Sequence, residues 1–196
     1  MLQTLKMTKK ICLIGGEDVH KRIALSHYLI EAGFEITILG TSSHSFPNPI
    51  RYVSYNLVRH YSINSDIKTV LWYKNFFKEN EFDVIHTFDT KPAFLLPFAL
   101  KKSKTPITRT ITGLGTIFMS DRLSSFFLRK VYYKLHRHIK GRVFKTVFQN
   151  YDDRDLFKSH QLITETNWEL IFSSGIELKE ITKIAPRNNA PFTFIC

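Results

Sequence analysis

The chain has 196 residues, 43% of them hydrophobic and 14% aromatic, which is enough for one substantial core and excludes a disordered segment. Lysine and arginine outnumber aspartate and glutamate by 28 to 17, a formal net charge of +11. The two cysteines, Cys12 and Cys196, stand far apart and offer neither a disulfide framework nor a thiolate metal site, so a reducing compartment is expected. MLQTLKMTKK has no apolar run of its own, and ICLIGG breaks at Glu17 and Asp18, so no secretory signal is expected. AFLLPFAL is too short to cross a bilayer and contains Pro97.

In chain order, patterning and breaker residues predict alternating strands and helices. KICLIGG is a strand ending in a double glycine. From about Val19 to Ala32, Ile23, Leu25, Leu29 and Ile30 have helical spacing, and Gly33 is a C-terminal stop. FEITILG is the second strand and RYVSY a short edge strand. SDIKTVLWYKNFFKEN is a helix capped by Ser65 or Asp66. Then follow the strand DVIHT, a helix through PAFLLPFALKK, the strand PITRTIT and a basic helix between Asp121 and Arg142. The strand KTVFQN, a short helix from about Asp152 to Lys158 and the strand WELIFSS complete the series. Such alternation predicts an α/β fold with a doubly wound parallel sheet.

The basic helix carries much of the net charge. Asp121 is its single acid against Arg122, Arg129, Lys130, Lys134, Arg137, Lys140 and Arg142. Leu123, Phe127, Val131, Leu135 and Ile139 recur every four residues and form one apolar stripe. A core-facing helix with a solvated basic face accounts for this pattern. Phe126, Tyr132 and Tyr133 fall outside the stripe, and aromatic rings beside cations suit an anionic membrane surface. On that second reading Arg129, Lys130, Lys134 and Arg137 are the membrane-binding residues. Nucleic acid is not the expected partner, since there is no zinc-finger spacing, RNA-binding aromatic signature or helix-turn-helix pattern.

Open parallel sheets bind ligands beyond the carboxyl ends of their strands. Four polar or glycine-rich signals fall at such ends: GGED, HTFDTKP, TGLG (residues 112–115) and QNYDD (residues 149–153). None is specific alone. The first lacks the G-x-G-x-x-G spacing of a dinucleotide fingerprint, and paired glycines also mark ordinary turns. Their joint placement is what points to a site.

The order ICLIGG, FDVIHTFDTKP, ITGLGTIF, VFQNYDDRDLF and SSGIEL resembles the N-terminal, acceptor-side domain of family 4 glycosyltransferases of the GT-B fold, a Rossmann-like domain. Within the family it is similar to bacterial enzymes that extend sugars on undecaprenyl diphosphate in capsule, O-antigen or glycan assembly. The resemblance runs from Lys10 to the end of the chain. It implies transfer from a nucleotide-sugar donor, such as a UDP-sugar, to a lipid-linked glycan acceptor on the inner, cytoplasmic face of the membrane. It implies no metal and no cofactor. A second Rossmann-like domain then stabilises the leaving diphosphate and holds the donor sugar with a Glu-x7-Glu motif. Glu169 and Glu177 have that spacing but span a strand and a turn, a coincidence. On this reading residues 1–9 are a flexible N-terminus, 10–178 the acceptor-side domain, and 179–196 a linker with a truncated strand, PFTFIC. The chain alone is expected to be inactive.

Glycosyl transfer needs a placed acceptor hydroxyl, charge stabilisation on the departing diphosphate, and a destination for the proton. His86 and Asp89 are the candidate catalytic residues. The family's functional histidine falls at Phe88 here, so His86 reads instead as a strand-end histidine satisfied by backbone, with direct chemistry the alternative. Asp89 orients a sugar hydroxyl or caps the next helix; Lys91 meets a phosphate or is solvated. Gly15 and Gly16 let backbone amides approach a phosphate at a helix start. Thr112, Gly113 and Gly115 shape the loop under the acceptor, and Asn150 closes the far side. The rival reading is a non-catalytic basic α/β module that binds an anionic membrane or nucleic acid.

Overall fold

The computed structural model describes residues 8–60, 62–115, 118, 123–173 and 175. Most of the expected N-terminal tail, the expected linker and Glu177 lie outside the described residues. One parallel sheet is built from β1 (Lys10–Ile14), β2 (Glu35–Gly40), β3 (Arg51–Ser54), β4 (Val84–Thr87), β5 (Ile107–Ile111), β6 (Lys145–Phe148) and β7 (Trp168–Leu170). Their order is β3-β2-β1-β4-β5-β6-β7. All the expected strands are present, each shorter than expected. Helices α1 (Ile23–Glu31), α2 (Ile63–Glu79), α3 (Thr90–Ala99), α4 (Leu123–Ile139) and α5 (Tyr151–Ser159) connect them.

Strands of a parallel sheet are covered on both faces, so their apolar residues run nearly unbroken. Ile11, Leu13, Ile36 and Ile38 face one way and pack with Ile23, Leu29 and Ile30 of α1. Cys12, Ile14, Leu39, Ile85 and Ile107 face the other, beneath Tyr73 of α2 and Leu95, Leu96 and Ala99 of α3. Ile111 and Phe148 extend that second layer under Tyr132 of α4 and Phe157 of α5. Right-handed crossovers explain the segregation: the chain leaves β1 in one direction through α1 and returns past it through the later helices.

Several helix boundaries differ from expectation. Glu17–Arg22 is a 3₁₀ turn, and the first α-helix begins only at Ile23. Val19 is drawn down against Gly15 and Gly40, where its side chain fills the space a Cβ on either glycine would need, which tightens the turn. Gly33, at φ +89°, follows the end of α1 as expected. The cap of α2 is Ser62, not Ser65 or Asp66; its Oγ accepts the Ser65 amide at 3.4 Å. α3 starts at Thr90, takes Pro92 into its first turn, where an amide has no helical partner, and encloses Pro97.

The largest correction concerns α4, whose expected core stripe is turned outward. Leu123, Phe127 and Val131 are 82%, 66% and 51% exposed, and of the stripe only Ile139 is buried outright. The inner face is Ser125, Tyr132, His136 and Ile139, so Tyr132 is no surface residue. Arg109 of β5 supplies the reason. Its fully buried guanidinium donates from Nε to Thr146 Oγ1 at 3.0 Å, from Nη1 to His136 Nδ1 at 3.0 Å and from Nη2 to the Leu162 carbonyl at 3.5 Å. A buried cation needs acceptors, which the Tyr/His side of α4 provides and the aliphatic side does not. Burial and the Arg109 charge push the His136 imidazole well below its usual range, so it stays a neutral acceptor.

Candidate functional site

Because β1 lies between β2 and β4, the connections diverge there, and the switch point, where open parallel sheets form their ligand crevice, lies beyond the carboxyl ends of β1 and β4. The Gly15–Gly16 turn follows β1, and Phe88 and Asp89 follow β4. Asp89 Oδ2 accepts the Gly16 amide at 2.9 Å. To do so Asp89 holds φ 66° and ψ 155°, a conformation that side chains rarely adopt and that costs about 1–3 kcal/mol. The Gly15 amide donates to the Leu39 carbonyl at 3.0 Å, and the Gly16 carbonyl accepts from Thr41 at 3.3 Å. The Gly15 carbonyl accepts the Tyr55 hydroxyl at 2.8 Å, which itself accepts the Tyr73 hydroxyl at 2.9 Å. Burial pushes both phenols up and keeps them protonated donors.

These bonds correct two expectations. The Gly15 and Gly16 amides do not reach toward a phosphate, because a strand carbonyl and a carboxylate already occupy them. Asp89 stands at the N-cap position of α3, yet its side chain makes no capping bond. It braces the neighbouring turn instead.

His86 projects toward the α1 side of the sheet and is partly buried. Its Nε2 lies 2.8 Å from Thr110 Oγ1, and its ring stacks on Phe88 at 4.2 Å. The Arg22 guanidinium sits over the Phe88 ring, 4.4 Å from its centroid. Burial first and the Arg22 charge second lower the His86 pKa to about 4. A neutral imidazole that weakly basic is a poor proton acceptor near pH 7, although it remains a firm hydrogen-bonding and stacking element.

Other candidates are placed less centrally. Lys91 Nζ donates to Asp66 Oδ1 at 2.6 Å and to the His60 carbonyl at 2.7 Å, so it fastens α3 to the start of α2 and is neither solvated nor aimed at a phosphate. Thr90 Oγ1 donates to the Gly113 carbonyl at 3.1 Å and brings the TGLG loop beside Asp89. Gly115 there has φ +75°, which favours glycine, and Thr112 is exposed. Asn150 is the N-cap of α5: its Oδ1 accepts the Asp153 amide at 2.7 Å and its Nδ2 donates to Asp153 Oδ2 at 3.0 Å. That is a helix-end role, where a crevice-closing one was expected. On α4, Arg129 donates to the Phe118 carbonyl at 3.4 Å and Arg137 to the His160 carbonyl at 3.0 Å. Lys130 lies over the exposed Phe126 ring at 4.5 Å, and Lys134 is exposed.

The crevice thus gathers Gly15, Gly16, His86, Asp89 and the TGLG loop. Sequence reasoning missed Arg22, Tyr55 and Tyr73 around it. Nothing local marks them: an arginine before a helix and tyrosines in apolar runs read as ordinary surface and core.

The family model for Glycosyltransferase Family 4 matches residues 23–164. Among solved structures, the chain is similar to the lipopolysaccharide outer core galactosyltransferase WaaB, with a TM-score of 0.56 at 12% identity over 93% of this chain and 50% of that one. It is similar to MurG of Acinetobacter baumannii, with a TM-score of 0.55 at 10% identity over 87% and 46%. It is also similar to the UDP-GlcNAc 2-epimerase of Methanocaldococcus jannaschii, with a TM-score of 0.57 at 14% identity over 82% and 45%. At such identities the likeness is one of fold, and the chain spans about half the length of these structures. No curated protein matches the sequence. The fold is shared by transferases and an epimerase, but the family model covers most of the chain, and the chain therefore belongs to Glycosyltransferase Family 4, with the Rossmann-like fold of one half of a GT-B enzyme.

Proposed function

We propose that this chain is the acceptor-side part of a glycosyltransferase that moves a hexosyl or N-acetylhexosaminyl group from a nucleotide-sugar donor to a lipid-linked glycan. The acceptor is an undecaprenyl-diphosphate glycan of surface-polysaccharide (capsule or O-antigen) assembly, met at the inner face of the cytoplasmic membrane. The observation that carries the reading is the braced crevice at the switch point of a Family 4 chain, with Asp89 held at its floor by the Gly16 amide. Oδ2 is committed to that amide, and Oδ1 accepts the acceptor hydroxyl, orients it and draws on its proton as the bond to the anomeric carbon forms. Neutral His86, stacked on Phe88, shapes the wall against which the sugar lies. The donor and its departing diphosphate are held by a second Rossmann-like domain outside these 196 residues, without metal or cofactor.

Membrane docking is supported by the outward stripe of α4. Leu123, Phe127 and Val131 stand among Lys130, Lys134 and Arg137, an arrangement suited to acyl chains below and anionic headgroups around. Among the described residues, no helix is long and apolar enough to cross a membrane.

The test uses a form extended by the donor-binding domain. Asp89→Asn keeps an oxygen for the Gly16 amide and removes the charge, so transfer should fall at least about 100-fold, the usual scale for a general base, while the melting temperature and acceptor-free donor hydrolysis change little. The 196-residue chain alone should show no turnover. Wild-type transfer by Asp89→Asn, or turnover by the chain alone, would sink the reading.

A further inference from the structure

Two buried hydroxyls meet the candidate site through a single peptide unit. Tyr55, just past β3, donates to the Gly15 carbonyl at 2.8 Å, and Asp89 Oδ2 accepts the Gly16 amide at 2.9 Å. That carbonyl and that amide are the two ends of the Gly15–Gly16 peptide. Tyr73 of α2 donates to Tyr55 at 2.9 Å, so an unbroken line runs from Tyr73 through Tyr55 and the peptide to the Asp89 carboxylate. Every donor direction in it is forced. A carbonyl oxygen only accepts, so the single Tyr55 proton goes to Gly15, and the Tyr55 oxygen is left to accept from Tyr73. Both phenols stay protonated: burial above all, with the Asp89 charge among the further causes, pushes them up.

Bonds aligned in this way polarise one another. Peptide resonance moves electron density from nitrogen to oxygen, so a donor on the carbonyl makes the amide at the other end of the same unit a stronger donor. The surroundings magnify the effect. Tyr55 is 5% exposed and Tyr73 is 0% exposed, and both sit in the apolar cluster of Ile14, Leu39, Leu95 and Leu96, where the dielectric is low. The Tyr55 ring is held by stacking on Trp72 at 5.2 Å and by its tilted contact with Tyr73 at 5.4 Å. The peptide is held as well, since the Gly15 amide donates to the Leu39 carbonyl and the Gly16 carbonyl accepts from Thr41. As packing residues alone, phenylalanines fill nearly the same volume. The hydroxyls add a directed line, and it ends on the carboxylate whose backbone is held at φ 66°.

We infer that Tyr55 and Tyr73 are positioning residues for transfer, acting on Asp89 through the Gly15–Gly16 peptide. The strengthened Gly16 bond holds Oδ2 and so fixes the direction in which Oδ1 meets the acceptor hydroxyl. Neither phenol touches substrate, and the line transmits polarisation without moving a proton. This rests on the Asp89 reading above and adds to it what keeps the carboxylate in place.

Two measurements test it. In the 196-residue chain labelled with nitrogen-15, the Gly16 amide proton should resonate downfield, as an amide bound to a carboxylate does. It should move upfield in Tyr55→Phe, and by less in Tyr73→Phe. In the form extended by the donor-binding domain, Tyr73→Phe should lower kcat about 2–10-fold, the weight of one hydrogen bond, with the acceptor KM unchanged. Tyr55→Phe should lower kcat further. Tyr73→Phe is the cleaner variant because it leaves no buried donor without an acceptor, whereas Tyr55→Phe strands the Tyr73 hydroxyl and should also lower the melting temperature. A Gly16 amide at its wild-type position in both variants, or wild-type kcat in both while Asp89→Asn is impaired, overturns the positioning role and leaves the pair a polar contact of the core. Failure of the Asp89 reading shows differently, as wild-type transfer by Asp89→Asn itself.

Discussion

His86 shows how little an imidazole at a strand end reveals until its neighbours are known. Its type and place were legible, but Thr110, Phe88 and Arg22, which decide its protonation, come from other elements. With the folded pKa lowered to about 4, the unfolded chain binds this proton first as the solution is acidified. The stabilisation is therefore complete above about pH 6.5 and is lost as pH falls toward 4, about 3 kcal/mol in all. Urea midpoints measured at pH 7 and pH 4.5 should differ less in His86→Gln than in wild type. A part of the difference remains, because neutral His136 acts in the same direction. An equal pH difference in both proteins would show that His86 is not held neutral. The bond from the Gly16 amide to Asp89 was not legible, since neither the backbone conformation of Asp89 nor that amide can be inferred from HTFDTKP.

At the level of elements, the strands were readable because each is a short run rich in β-branched or aromatic residues, alternating along the chain with helical patterns. Helix faces were less so. α4 carries two lines with helical spacing, one aliphatic and one of Tyr132, His136 and Ile139, and periodicity cannot say which faces inward. The deciding partner is Arg109, 27 positions before His136 and on another element. The stability consequence is opposite to what hydrophobicity suggests. Phe127→Ser should shift unfolding free energy by no more than about 0.5 kcal/mol, whereas Ile139→Ala should lower it by about 2–4 kcal/mol. Comparable losses in the two variants, measured by urea denaturation, would mean that the stripe is buried after all. Asn150→Ala removes the α5 cap and should lower stability by about 1 kcal/mol.

At the level of the whole molecule, Family 4 membership was recognisable from the order of weak motifs, because each marks the end of a strand at one rim of the sheet. The interior of that rim was not, since the tyrosine pair and Arg22 reach it only through tertiary packing. Cys12 lies at the centre of the sheet, fully buried, with a thiol that burial pushes well above its usual range. Its alkylation should follow global unfolding, with the same urea midpoint as the circular dichroism signal; faster labelling in native buffer would reveal a local opening of β1. The central place of β1 also has a consequence during synthesis. Its far edge pairs only with β4, and 73 residues separate the Gly16 amide from the Asp89 carboxylate that braces it. A ribosome adding about 5–20 residues per second takes about 4–15 s to cover that distance. Throughout that interval the nascent chain carries an unpaired, apolar strand edge at what becomes its middle, so slowing translation between β3 and β4 should raise its demand for chaperones more than slowing it anywhere after β4.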